Sequence, residues 1–148
     1  QTKALDLTPA PQAAEGVNQT HTRILKATLD LGSGLASGAS QDAGTIEIPA
    51  SSILIGGWVD VETNLDSVGD GAQLSLGLKT GTGATTTTLL AATPQPFLQG
   101  EDGGANAPLL MSGAAFKTAS ATRIIGTASV ANITAGKMHI YVQYIPGI

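Results

Sequence analysis

The sequence has no cysteine, few charged residues and no long apolar run. The missing cysteine excludes disulfide bonds and thiolate metal sites from its 148 residues. No apolar stretch approaches the ~18 residues of a transmembrane helix, so we expect no membrane partner. The first residues also lack the apolar core of a secretory signal. A chain of this length fits one domain and can bury a hydrophobic core.

Charged residues make up 12% of the sequence, which is about half of the usual share. The net charge is −4 and the basic residues are scattered, so we expect no nucleic-acid partner. A free monomer usually needs a charged surface to stay soluble. The low charge therefore indicates that a partner covers much of the surface. The alternative is an ordinary β-domain with a threonine-rich exterior.

Residues 1–20 show no regular period and contain Pro9 and Pro11. Proline disfavours both helices and central strands. We interpret this segment as an extended N-terminal arm that precedes a domain at residues 21–148. The arm either reaches onto a neighbouring subunit or is a disordered terminus.

Residues 23–31 carry the first strong strand pattern. Apolar and polar residues alternate there, which is typical of a half-buried strand whose inward positions are Leu25, Ala27, Leu29 and Leu31. The following residues 32–44 have the composition of a loop. A short strand is predicted at residues 45–49, where Pro49 ends it.

The longest apolar-rich stretch is residues 53–65. Its apolar residues of one parity are Ile53, Ile55, Val59 and Val61. The Gly56-Gly57 pair predicts a bulge or a bend. Trp58 is the only tryptophan and shares the parity of Leu54. We expect its side chain to plug one end of the core, with a subunit interface as the alternative.

The second half of the sequence alternates between short strands and turn-rich segments. Loops are predicted at residues 66–71 and 94–108, and a hairpin connection at residues 80–84. Residues 89–92 fit a short strand or one helical turn, and Gly126 marks a possible bulge. The predicted strands are residues 72–79, 85–88, 107–111, 122–133 and 137–145.

About eight strands with turns between them and no long amphipathic helix predict an all-β fold. We expect a single-domain β-sandwich, and eight strands in two sheets match a jelly roll. The first and last strong strands lie near opposite ends of the sequence, as expected if both join the same sheet.

No catalytic or metal-binding constellation is recognisable. There are two histidines, His21 and His139, and His139 falls on the outward side of its strand, where a surface or interface role is expected. The hydrolase G-x-S-x-G motif and the phosphate-loop spacings are missing. Loop carboxylates can hold calcium, but we interpret these as solvated acids: Asp66, Asp70, Glu101 and Asp102. We therefore expect a protein that is not an enzyme and has no cofactor and no metal.

Four segments, taken in order, resemble small virion proteins of tailed bacteriophages. They are ILIGGWVDVETNLDS at residues 53–67, AQLSLGLKTG at 72–81, LLAAT at 89–93 and GKMHIYVQYI at 136–145. Their order and spacing carry the resemblance, which spans roughly residues 22–146. It implies a capsid decoration (cement) protein with a jelly-roll fold. Such a protein sits on the outer surface of the phage head and cross-links subunits of the major capsid protein.

The resemblance also implies partners and a location. The partners are the major capsid protein and further copies of the chain, as a homotrimer at local threefold positions or a homodimer at twofold positions. The protein is made in the host cytoplasm and ends on the virion. The alternative is a tail, baseplate or head-fibre adhesin that binds host glycan or protein through residues 94–108. The candidate partner contacts are Thr2, Leu5, Leu7, Pro9, Pro11, Trp58, Phe97, Tyr141 and Tyr144.

Overall fold

A computed structural model describes residues 21–80, 85–98 and 116–147, and they form eight strands and two single-turn 3₁₀ helices. The strands are β1 (Arg23–Asp30), β2 (Ser40–Ile48), β3 (Ile53–Ser67), β4 (Gln73–Lys79), β5 (Thr85–Pro94), β6 (Phe116–Lys117), β7 (Thr122–Ser129) and β8 (Ile133–Ile145). The 3₁₀ helices are Val68–Asp70 and Gln95–Leu98. Neither of these helical turns is long or apolar enough to cross a membrane. The predicted all-β sandwich is confirmed.

The strands form two four-stranded antiparallel sheets. The first sheet has the order β1-β8-β3-β6 and the second sheet the order β2-β7-β4-β5. The pairs are nested, because β1 lies beside β8, β2 beside β7, β3 beside β6 and β4 beside β5. A long hairpin folded over on itself gives this order, which is the jelly-roll arrangement. As predicted, the first and last strong strands share a sheet.

The core lies between the sheets and follows from the period-two patterns. Paired residues on neighbouring strands point to the same face of a sheet. In β1 and β8 the pairs Leu25–Val142, Ala27–Ile140 and Leu29–Met138 are all buried. The second sheet contributes a matching row of buried side chains, among them Leu74, Leu76, Leu78, Ile124 and Ala128.

The bulge predicted at Gly56-Gly57 is present, and it reverses the parity of β3. The register with β8 shifts between Leu54 and Gly56. Leu54 is buried before the shift, and Val59 and Val61 are buried after it. The single inward parity predicted for this stretch is therefore wrong, because Ile53 and Ile55 face outward. The core position predicted for Trp58 is also wrong, because the shift separates it from the face of Leu54 and its ring lies on the outer surface.

Two segments predicted as loops are strands in part. β2 begins at Ser40, and β3 continues to Ser67. β2 carries an irregularity between Asp42 and Glu47, which interrupts its pairing with β7. Such an interruption removes the steady alternation that would have revealed the start of the strand. β5 runs without a break to Pro94, so the residues 89–92 are strand and not a helical turn.

The strand predicted at residues 122–133 is two strands. β7 ends at Ser129, and a turn with Val130 at a positive φ of 71° leads into β8 at Ile133. Gly126 is not a bulge, because β7 keeps an unbroken register with β4 through this residue. It is instead a close-approach site, where an added Cβ would lie 2.6 Å from Cδ2 of Leu29 in the opposite sheet. The predicted strand at residues 107–111 lies outside the described ranges, and β6 was not predicted.

Candidate interaction surface

The outer face of the second sheet carries a cluster of paired charges. Asp42 on β2 accepts a hydrogen bond from Lys79 Nζ at 2.9 Å and one from Arg123 Nη1 at 3.4 Å. Arg123 Nε also lies 3.9 Å from Glu47 Oε2. The hydrogen bond from Lys79 lowers the pKa of Asp42 below its ordinary value, and Arg123 adds to this effect. The charges on this face therefore satisfy one another.

This ion cluster predicts a specific loss of stability in acid. A carboxyl group whose pKa is lowered by folding stabilises the fold above its unfolded pKa of 3.8, and this contribution disappears as the pH falls through the lower folded value. Asp42→Asn should lower the free energy of unfolding by about 1 kcal/mol or less at pH 7, because the pair is partly solvated. Urea titrations from pH 7 to pH 2.5 should show the difference from wild type closing below pH 4. A difference that stays constant would contradict the assignment.

The outer face of the first sheet is different, because it exposes aromatic and aliphatic side chains. Tyr141 on the central strand β8 is paired with Lys26 on β1 and with Trp58 on β3. The Trp58 and Tyr141 rings stack with centroids 5.1 Å apart and an interplanar angle of 15°. Lys26 Nζ lies 5.8 Å from the centroid of the Tyr141 ring. Stacking and cation–π contacts of this kind each contribute about 0.5–1.5 kcal/mol, so the three side chains hold one another in place.

Exposed isoleucines lie beside these three side chains, toward one end of the sheet. Ile24 is 55% exposed, Ile55 43% and Trp58 37%, and Ile53 belongs to the same face. We call the surface formed by Ile24, Lys26, Ile53, Ile55, Trp58 and Tyr141 the aromatic face. Monomeric proteins seldom leave several large apolar side chains together in water, and such patches mark binding surfaces. The aromatic face is therefore the candidate interaction surface of the chain.

A polar cluster lies at the other end of the same face. His139 Nε2 lies 2.7 Å from Glu62 Oε2, and His139 Nδ1 lies 2.9 Å from Thr28 Oγ1. Lys137 Nζ is 3.4 Å from the same Glu62 oxygen. The hydrogen bond with His139 lowers the pKa of Glu62, and Lys137 adds to the effect. His139 thus lies on the outward side of β8, as predicted, and its two ring nitrogens are bound within the sheet.

The structure brings two of the predicted contact residues together. Trp58 and Tyr141 form the centre of the aromatic face. Tyr144 lies on the inner side of the first sheet, where it is paired with Leu54 and packs against the core. Phe97 belongs to the 3₁₀ helix Gln95–Leu98, of which its backbone alone is described. The remaining candidates lie before residue 21, outside the described ranges: Thr2, Leu5, Leu7, Pro9 and Pro11.

Sequence reasoning missed the isoleucines and Lys26. Ile24 and Lys26 lie at the outward positions of β1, which alternate with its buried leucines. An isoleucine at an outward position indicates that the outer face of the sheet is apolar as well. Ile53 and Ile55 were hidden by the parity reversal at Gly56.

The described residues offer no metal centre, since they contain no group of three or more histidines and acids in ligating positions. Two of the loop acids have local partners instead. Asp66 Oδ1 accepts a hydrogen bond from the backbone N–H of Ser67, and Asp70 Oδ1 accepts one from Gln95 Nε2. Glu101 and Asp102 lie outside the described ranges, as does most of the loop predicted at residues 94–108.

The fold resembles that of chains in three solved phage particles. One belongs to the capsid of Ralstonia phage GP4, with a TM-score of 0.66, 16% identity and 86% of each chain covered. Another belongs to the cyanophage Pam1 capsid asymmetric unit, with a TM-score of 0.59, 14% identity and 85% of each chain covered. A third belongs to the acidic stable capsid of Helicobacter pylori bacteriophage KHP30, with a TM-score of 0.53, 13% identity and coverage of 86% of this chain and 89% of that chain.

No protein-family profile matches the sequence, and no curated protein matches it either. At identities of 13–16% the likeness to the capsid chains establishes the jelly-roll fold.

Proposed function

We propose that the chain is a structural protein of a tailed-phage virion and acts as a decoration protein on the outer surface of the head. The observation that carries the proposal is the contrast between the two outer faces of a capsid-type jelly roll. One face carries a cluster of paired charges, and the other exposes the Trp58–Tyr141 stack among several isoleucines. We assign the aromatic face to the contact with the major capsid protein.

Physical chemistry supports this assignment. Burying apolar surface contributes about 25 cal/mol per Å², and aromatic side chains in interface centres carry a large share of binding energy. The Trp58 and Tyr141 rings are already held by their stack and by Lys26, so little side-chain entropy is lost when a partner covers them. Modest binding by each copy becomes strong reinforcement when many copies bind one shell, because they stabilise only the assembled state.

The proposed mode of action is mechanical and involves no catalysis. A protein that binds adjacent subunits at once links them, and it resists their separation without chemical change. We propose a homotrimer at local threefold positions of the head, which would present three aromatic faces to three neighbouring subunits.

The test compares two exposed isoleucines, one in each sheet. Ile55→Asp places a charge on the aromatic face, and Ile46→Asp is the matched control on β2, where Ile46 is 51% exposed. Each variant is added to heads of the encoding phage that were assembled without the chain, and bound protein is measured by sedimentation. We expect Ile55→Asp to weaken binding about tenfold or more, and Ile46→Asp to bind like wild type.

Other outcomes would contradict the proposal in distinct ways. Equal binding by both variants would exclude the aromatic face as the capsid contact. Failure of the wild-type chain to bind heads, together with binding to host cells, would overturn the decoration function in favour of an adhesin.

A further inference from the structure

The edge of the first sheet at β1 has backbone groups that point away from the sheet. β1 pairs with β8 on one side, and no other strand in the described ranges pairs with its second side. The pair after Asp30–Lys137 is Leu31–Gly136, in which the Leu31 N–H donates to the Gly136 carbonyl at 2.7 Å. This bond identifies Leu31–Gly136 as a hydrogen-bonded pair of the ladder.

Along an antiparallel ladder, hydrogen-bonded pairs of residues alternate with pairs that are not hydrogen-bonded to each other. The residues of β1 bonded to β8 are therefore Arg23, Leu25, Ala27 and Leu29. The N–H and carbonyl groups of the alternate residues, Ile24, Lys26 and Thr28, point outward from the edge. Asp30 belongs to the same outward set, and its carbonyl accepts a hydrogen bond from Gln41 Nε2 at 2.6 Å. This contact independently confirms that the backbone groups of these residues point away from β8. It also occupies the outward carbonyl at the Asp30 end of the edge.

Two devices that often protect an exposed edge, a bulge and a proline, are missing from β1. Its register with β8 is unbroken over all eight residues, so it has no bulge, and it contains no proline. Lys26 is the residue that could shield the middle of the edge, but its Nζ is drawn over the Tyr141 ring on β8. The outward groups of Ile24, Lys26 and Thr28 thus form a template for one more strand.

We propose that this edge receives residues 1–20 of a second copy of the chain as an added strand. The segment outside the described structure ends at residue 20, two residues before the described residue 22 leads into β1 at Arg23, and twenty extended residues reach up to about 66 Å. This reach is enough to span to a neighbour. Leu5 and Leu7 alternate with Asp6 in the segment, and they would extend the apolar row that begins at Ile24, which is 55% exposed.

A tight hairpin within one chain fits less well than exchange between copies. It would lay residues close to residue 20 along β1, and these contain Val17 as their one large apolar side chain. The two leucines lie further away, beyond Pro9 and Pro11. The inference rests on the proposed function in supposing that several copies stand side by side, but its test needs no phage head.

The first experiment uses the full chain alone and measures self-association by analytical ultracentrifugation. Lys26→Pro removes an outward N–H and leaves the β1–β8 ladder intact, whereas Lys26→Ala removes the same amine and keeps the N–H. We expect self-association to weaken about tenfold or more in Lys26→Pro and to stay within about twofold of wild type in Lys26→Ala. Equal association of the two variants would overturn the proposal.

A second experiment does not depend on the folding of the proline variant. Since the chain has no cysteine, every disulfide reports an introduced pair. Leu5→Cys and Ile24→Cys are made in separate copies, mixed and oxidised with diamide, and the linked peptides are identified by mass spectrometry. We expect a Cys–Cys link between the two variants. A chain that carries both substitutions is oxidised in parallel. If the mixture forms no link between copies and this double variant forms a link within one chain, the arm folds back onto its own β1 and the proposal is overturned.

These outcomes are separable from the capsid test. Absence of the intermolecular Cys–Cys link, with normal head binding by the wild-type chain, would overturn this inference and leave the decoration function standing. Failure of the wild-type chain to bind heads, with arm exchange observed, would do the reverse.

Discussion

Replacing Gly126 with alanine should destabilise the sandwich by about 1–3 kcal/mol, because the new methyl group has no room in the core. An added Cβ would lie 2.6 Å from Cδ2 of Leu29 and 3.4 Å from Cδ1 of Leu74. Leu29 is fully buried among other core side chains, so it can move away only by displacing its neighbours. Urea unfolding followed by circular dichroism measures the change in free energy.

Combining this change with Leu29→Ala tests the cause. Leu29→Ala alone should cost about 2–5 kcal/mol, since it leaves a cavity at the centre of the core. In that background the alanine at position 126 meets space instead of a methyl group, so the double variant should be more stable than the sum of the single effects predicts. Strictly additive effects would show that Gly126 is required for a reason other than its contact with Leu29.

Gly136→Ala should cost about 2–4 kcal/mol, because two penalties coincide at this residue. Its φ of 145° lies in a region that residues with a side chain rarely adopt, and an added Cβ would be 3.2 Å from the backbone Cα of Leu65. A backbone atom of the paired strand β3 cannot move aside easily.

Gly38→Ala is the matched control. Gly38 also has a positive φ, 86°, but an added Cβ there meets nothing within 4 Å. Comparing urea midpoints should show a smaller loss at position 38 than at position 136. A loss at position 38 that equals or exceeds the loss at 136 would mean that backbone conformation alone decides the cost.

Periodicity predicted the strands that pack one face against the core. β1 and β8 were foreseen because their inward residues repeat without interruption, from Leu25 to Leu31 and from Met138 to Val142. The shared sheet of these two strands was also foreseen. The remaining strand order could not be obtained from periodicity, because alternation shows which face of a strand is buried and carries no information about its neighbour.

The errors fall where the alternation changes phase. At Gly56 the bulge moves Trp58 from the predicted core to the surface, while Val59 and Val61 stay buried. A glycine pair indicates that the inward parity of a strand can change. The neighbouring residues do not show which parity faces the core before the pair and which faces it after the pair. The sequence thus predicts Trp58 as a candidate contact residue but places its side chain in the core instead of on the outer surface.

The nested strand order has a consequence for how the protein forms. Both β1 and β3 hydrogen-bond to β8, so the first sheet cannot assemble until residues 133–145 have been made. Roughly 100 residues separate β1 from β8, and at about 5–20 residues per second the ribosome needs on the order of 5–20 s to supply them. During this time the leucines of β1 have no partner strand in their sheet. Such distant pairing also makes folding slow, typically milliseconds to seconds for β-sandwiches. The chain must therefore complete its fold after synthesis of β8, and cellular chaperones have a window in which to bind it.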